Sequence, residues 1–150
     1  MTSALPRRLA VDEATAEAVG AAFKLRGFFP EFRAEHCEKL FPRSGVYQYR
    51  RGETIVAQGD AGRDLFLVLA GEVSVRFQVD SLAAEAARLG PGAVVGEMAL
   101  LGAGVRSATV AASAPSFVFR LAFDDVGYIL GNNPELAEHL RALARERASR

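Results

Sequence analysis

The chain has 150 residues and a mass of 16.1 kDa, enough for one domain that hides about 70% of the surface its unfolded chain would expose. Lysine and arginine number 18, aspartate and glutamate 18, so the net charge is zero and there is no basic excess of the kind nucleic-acid-binding domains carry. The single cysteine, Cys37, excludes an intramolecular disulfide framework and sets a cytoplasmic location as the expectation.

In chain order, residues 1–10 are expected to be an N-terminal tail, and Met1 to Arg8 lead into no apolar run of the kind a secretory leader needs. Residues 11–42 read as helical. Val11, Ala14, Ala18, Val19, Ala22 and Phe23 fall at helical spacing, with Asp12 as N-cap and Gly27 as stop, which predicts a helix over 12–26. After Gly27-Phe28-Phe29-Pro30, a shorter helix is predicted over 31–41, with Phe32, Cys37, Leu40 and Phe41 as its apolar contacts and Pro42 as its end.

From Arg43 the period changes. Short β-rich pieces are predicted at 46–49, 54–57, 65–70, 72–79, 87–89, 107–112 and 116–121, punctuated by Gly71, Gly90-Pro91-Gly92 and Ser113-Ala114-Pro115. Within 72–79, Val73, Val75 and Phe77 alternate with Ser74, Arg76 and Gln78. Strands this short, with a turn signal every ten or so residues, predict a compact antiparallel sandwich or barrel over 43–121. Residues 122–150 return to helix. Asp124-Asp125 are expected to cap a short helix to Leu130, and Gly131-Asn132-Asn133 to break it. Pro134 then opens a final helix with Leu136, Leu140 and Leu143 on one stripe and Arg141, Arg145 and Arg147 on a solvated face. Uninterrupted apolar runs stop at the length of Leu65–Ala70, far short of a bilayer span. His36, His139 and Cys37 are too few for a Cys/His zinc site.

The segment from Gly92 to Val110 carries the chemistry. Gly96 and Gly102 bracket one expected helical turn, Glu97–Leu101, where glycine permits close backbone approach and a helix start presents unpaired N–H groups to an anion. Nine residues after Glu97 stands Arg106, whose guanidinium can make parallel hydrogen bonds to a phosphate. Glu97 has only acceptor oxygens and suits a sugar hydroxyl. One ligand carrying a ribose hydroxyl and a phosphate would satisfy both side chains.

Gly96-Glu97-Met98-Ala99-Leu100 followed by Arg106-Ser107-Ala108-Thr109 resembles the phosphate-binding cassette of the cyclic nucleotide-binding domain family. That family includes catabolite activator proteins, regulatory subunits of cAMP-dependent protein kinase and cyclic-nucleotide-gated channels. The stretch from Gln58 to Val73 is similar to the family's upstream turn and core strands, and Leu89-Gly90-Pro91-Gly92 to the approach to its cassette. The likeness extends over roughly residues 20–148. It implies a mainly β domain over 11–150, a jelly-roll-like antiparallel β-roll with N-terminal helices and C-terminal lid helices.

The resemblance further implies that Glu97 accepts from the ribose 2′-OH and Arg106 holds the exocyclic phosphate oxygens. Backbone N–H groups from Gly96 through Met98 and Ala99 to Leu100, and at Ser107 and Ala108, would complete the anion cradle. The Ser107 hydroxyl would reach the phosphate or a syn guanine. Val95 and Val105 stand where the family often has Phe and Pro, which touches loop rigidity more than ligand chemistry. The implied protein is a non-catalytic sensor of cAMP or cGMP, cAMP favoured, without a metal or further cofactor, signalling by its C-terminal lid helix to an effector protein or a second copy. No helix-turn-helix follows the lid, so direct DNA binding is not expected. The alternative is a ligand-free interaction module in which Glu97 and Arg106 form a structural ion pair.

Overall fold

The computed structural model describes residues 7–27, 29–96, 104–125, 127 and 134–148. The strands are β1 (Arg7–Leu9), β2 (Gly45–Tyr49), β3 (Thr54–Val56), β4 (Leu65–Ala70), β5 (Val73–Val79), β6 (Leu82–Leu89), β7 (Val94–Val95), β8 (Thr109–Ala112) and β9 (Ser116–Leu121). They form two antiparallel sheets, one ordered β1-β2-β9-β4-β7 and the other β3-β8-β5-β6. Helices α1 (Glu13–Ala22) and α2 (Ala34–Leu40) precede the roll, and α3 (Pro134–Ala148) follows it. The mainly β fold with flanking helices therefore matches the expectation.

Alternation along β4 explains its uninterrupted apolar run. Leu65 and Leu67 face the helices, packing with Val19, Phe23, Cys37 and Phe119, while Phe66 and Val68 face the space between the sheets with Tyr49, Val73 and Val110. A strand covered on both faces has no polar side to display.

Several boundaries differ from the sequence reading, each because tertiary pairing overrides local propensity. The first helix ends at Ala22 rather than near Gly27. Phe23 caps it, Lys24 takes φ +50°, and Leu25–Gly27 form a 3-10 turn that lets both Phe23 and Leu25 enter the core. Asp12 is the N-cap, its carboxylate accepting from Thr15 N at 2.7 Å. The second helix covers Ala34–Leu40 only. Arg7–Leu9, inside the expected tail, pair with Val46–Gln48 as β1. β6 is eight residues long rather than the short piece at 87–89, because the hairpin with β5 imposes extension on an alanine-rich stretch. β7 is an added short strand beside β4.

Beyond β9, residues 123–125 are helical, so Asp124 and Asp125 sit inside a turn rather than at its N-cap. The Asp125 carboxylate instead accepts from Arg43 N at 3.0 Å and Ser44 Oγ at 2.6 Å. The expected continuation to Leu130 lies outside the described residues. Helix α3 begins at Pro134 as expected; its His139 Nε2 lies 2.9 Å from the Phe23 carbonyl oxygen, and Ala137 is buried. The side chains of Leu136, Leu140, Leu143 and Arg147 lie outside the described set, whereas Arg141 and Arg145 are exposed. Among the described residues, no helix is long and apolar enough to cross a membrane.

Candidate functional site

Arg106 is held first by its backbone. The turn after β3 runs back against residues 104–106, with an antiparallel bridge between Ala61 and Val105. Gly62 N donates to Gly104 O at 3.1 Å, Arg106 N to Asp60 O at 2.8 Å, and Gly59 N to Arg106 O at 2.9 Å. That local ladder fixes where the side chain leaves the chain.

The guanidinium then lies in a slot made by two glycines and a ring. Arg106 Nη2 donates to the main-chain oxygen of Asp64 at 3.0 Å, and Cζ stands 5.7 Å from the centre of the Phe66 ring. A Cβ on Gly62 would come within 2.9 Å of Arg106 Nε, and one on Gly96 within 2.9 Å of Nη1 and 2.7 Å of Asp64 O. Gly96 also takes φ +89°, a conformation that side-chain-bearing residues rarely adopt. Burial pulls the Arg106 pKa down, and the nearby Asp64 charge opposes that shift. The group stays protonated, since arginine does not lose its proton in proteins. Among the described residues no carboxylate forms an ion pair with it; the Asp64 carboxylate is taken by Arg120 Nε at 2.7 Å and by Phe123 N at 2.8 Å. A half-buried cation bonded to a neutral carbonyl keeps its charge and its remaining N–H groups available for an anion.

A cleft of about 440 Å³ opens beside Arg106, walled by Tyr47, Tyr49, Val56, Asp64, Phe66 and Arg120. Burial pushes the Tyr49 hydroxyl up to about 12, against the pull of Arg120. For Arg120 itself burial acts downward, but the hydrogen bond and charge of Asp64 outweigh it and raise the pKa.

Of the sequence-predicted site residues, Gly96, Arg106, Ser107 and Ala108 are described; Glu97, Met98, Ala99 and Leu100, and with them the expected helical turn, lie outside the described residues. Ser107 is exposed and Ala108 is buried. Both were expected to open a strand over 107–112, but β8 begins at Thr109. They occupy a gap between two paired segments: 104–106 against 59–62, and 109–112 against β5. Val95 is buried at its expected apolar position, whereas Val105 is exposed. The sequence reading missed Gly62, Asp64 and Phe66 as parts of the site. They stand in the Gln58–Val73 stretch already singled out, but only the fold shows that this turn touches Arg106.

The sequence profile described as the cyclic nucleotide-binding domain matches residues 46–133, more than half of the chain. The chain belongs to the cyclic nucleotide-binding domain family. It is 36% identical over 100 residues to a cyclic AMP receptor protein of Thermus thermophilus, covering 66% of this chain and 46% of that protein. It is 41% identical over 78 residues to the type II regulatory subunit of cAMP-dependent protein kinase of Drosophila melanogaster, covering 52% of this chain and 20% of the subunit. The chain thus spans less than half the length of these curated relatives. Among solved structures, a cyclic nucleotide-binding domain from Methylobacillus flagellatus superposes with a TM-score of 0.74 at 29% identity, covering 95% of this chain and 84% of that one. The slot around Arg106 thus belongs to a cyclic nucleotide-binding domain whose β-roll matches that of its structural neighbours.

Proposed function

We propose that this cyclic nucleotide-binding domain is a cytoplasmic, non-catalytic sensor that binds a 3′,5′-cyclic nucleotide, cAMP in preference to cGMP, and signals through movement of its C-terminal helix. The observation that carries the reading is the Arg106 guanidinium, half-buried between Gly62 and Gly96 without an ion-pair partner among the described residues. The cyclic phosphate supplies the missing charge there. Glu97 accepts from the ribose 2′-OH, and the N–H groups of the segment from Gly96 to Leu100 and of Ser107 and Ala108 complete the cradle. The preference for cAMP is supported by the names of two relatives, a cyclic AMP receptor protein and a cAMP-dependent kinase subunit.

Signalling is a population shift: the ligand moves the helix only by as much as it prefers the closed state. One described contact that such a movement would have to preserve or break is His139 against the Phe23 carbonyl. The output then passes to an effector protein or to a second copy of the chain through α3.

Calorimetric titration with cAMP, cGMP and AMP tests the reading. Saturable binding of cAMP, weaker binding of cGMP and none of AMP is the expected pattern. Absence of binding by either cyclic nucleotide overturns it, and tighter cGMP binding overturns the cAMP preference.

A further inference from the structure

The pairing of β5 with β8 stops two residues short of Ser107, one of the residues expected to cradle the anion. Val73 faces Ala112, Ser74 faces Ala111, Val75 faces Val110 and Arg76 faces Thr109, so each step up β5 is a step down β8. Continued in the same register, Gln78 would face Ser107. β8 begins at Thr109, however, and the place opposite Gln78 is taken by a side chain from elsewhere. Gln58 Oε1 accepts from Gln78 N at 2.7 Å, and Gln58 Nε2 donates to Gln78 O at 2.9 Å. A carboxamide presents the same donor and acceptor as a peptide unit. Here it makes with Gln78 the reciprocal pair that directly opposed residues make in an antiparallel ladder.

Gln58 is fixed for this task by its own backbone. Gln58 N donates to Thr109 Oγ1 at 2.9 Å, at the first residue of β8, and the next amide, Gly59 N, holds the Arg106 carbonyl at 2.9 Å. Ser107 and Ala108 lie between those two anchors.

We infer that Gln58 is a positioning residue for the ligand site: its carboxamide stands in for Ser107 in the ladder with β5 and so leaves the Ser107 peptide available to the phosphate. The inference rests on the cyclic nucleotide reading above. Without the carboxamide, the Gln78 N–H and C=O at the exposed end of the sheet are left to water, and β8 is free to extend downward and pair with them instead. Ser107 is then drawn into the sheet and away from the anion.

The test combines affinity with amide exchange. Gln58→Ala is expected to weaken cAMP binding by about tenfold, the loss of one or two hydrogen bonds to a charged ligand. In the ligand-free protein the same change is expected to slow hydrogen exchange at the Ser107 amide, followed by NMR, which a merely loosened loop would accelerate. Gln58→Glu keeps the acceptor for Gln78 N but loses the donor. Its second carboxylate oxygen opposes Gln78 O, so it is expected to lose affinity in the same direction, and it takes over the test if the alanine variant does not fold. Undiminished affinity in the variant, with wild-type protein binding normally, overturns the positioning role alone. Weakened affinity with unchanged or faster Ser107 exchange overturns it as well. If the wild-type protein binds no cyclic nucleotide, the ligand reading fails, and Ser107 exchange in the variant still decides whether Gln58 sets the end of β8.

Discussion

The guanidinium of Arg106 donates to the main-chain carbonyl of Asp64 at 3.0 Å, while the Asp64 carboxylate lies 2.7 Å from Arg120 Nε and accepts from Phe123 N at 2.8 Å. One residue therefore divides its polar groups between two duties. Its neutral oxygen orients the Arg106 guanidinium without cancelling the charge. Its carboxylate anchors the start of the helical stretch at residues 123–125, where Arg63 also lies 5.3 Å over the Phe123 ring. The slot around Arg106 and the first turn after the β-roll thus share one supporting residue.

Because that support contacts Arg106 through one hydrogen bond, removing the side chain is expected to cost little folding energy. Arg106→Ala is expected to weaken cyclic nucleotide binding by at least about tenfold, since a bidentate charged contact is worth more than one factor of ten. Arg106→Lys is expected to fall between, keeping the charge and losing the planar fork. Titration calorimetry measures the affinity and thermal melting checks the fold. Equal affinity in the alanine variant would remove Arg106 from the site.

Gly96 and Gly52 share nearly the same backbone angle, φ +89° and φ +90°, but not the same surroundings. A Cβ at Gly52 meets nothing within 4 Å, whereas one at Gly96 meets Asp64 O at 2.7 Å and Arg106 Nη1 at 2.9 Å. Both alanine substitutions carry a backbone strain of about 1–2 kcal/mol. Only Gly96→Ala is expected to displace the guanidinium and weaken cyclic nucleotide binding as well. The comparison is decided by measuring melting temperature and affinity for both variants. Intact affinity in Gly96→Ala would mean that Arg106 does not depend on this slot.

How legible these features are in the sequence follows from what enforces each one. Leu65–Ala70 can be read directly because both of its faces are buried, and Arg106 because its spacing from Glu97 is itself the signal. β6 is not legible: Ala83, Ala84, Ala86 and Ala87 favour no strand, and extension comes from pairing with β5 around the turn at Asp80, φ +57°. Arg7–Leu9 become a strand only because β2 offers an edge. Gln58 is the clearest case. A side-chain amide replacing a peptide is invisible until the register of two distant strands is known.

A buried polar clasp joins the start of β2 to the first turn beyond β9. Ser44 and Asp125 are 3% and 4% exposed, with Ser44 Oγ donating to Asp125 Oδ2 at 2.6 Å and accepting from Ala122 N at 2.9 Å. Arg43 N completes the set at 3.0 Å from the same carboxylate oxygen. Asp125→Ala strands the buried Ser44 Oγ and the partly buried Arg43 N and is expected to destabilise the domain by about 1–3 kcal/mol, and Asp125→Asn by less, because its carbonyl oxygen still accepts. In urea denaturation, a Ser44→Ala and Asp125→Ala cycle is expected to show a coupling above about 0.5 kcal/mol. Additive losses would show that the two residues act independently.

The alkaline limit of stability follows from two buried acids. Burial pushes the Cys37 thiol from 9.0 up to about 12 and the Tyr49 phenol from 10.0 up to about 12. Each group stays protonated in the folded protein at a pH where the unfolded chain has already released its proton. The folded state therefore binds more protons, and stability falls as pH rises through that window, which opens at 9.0 for Cys37 and at 10.0 for Tyr49. The fall is expected to approach about 1.4 kcal/mol per pH unit for each group while only the unfolded form titrates. Urea midpoints at about pH 8 and about pH 10.5 measure it. Cys37→Ala and Tyr49→Phe should each flatten the profile over its own interval, whatever they do to stability near neutrality. A profile equally steep in both variants would place the alkaline transition elsewhere in the chain.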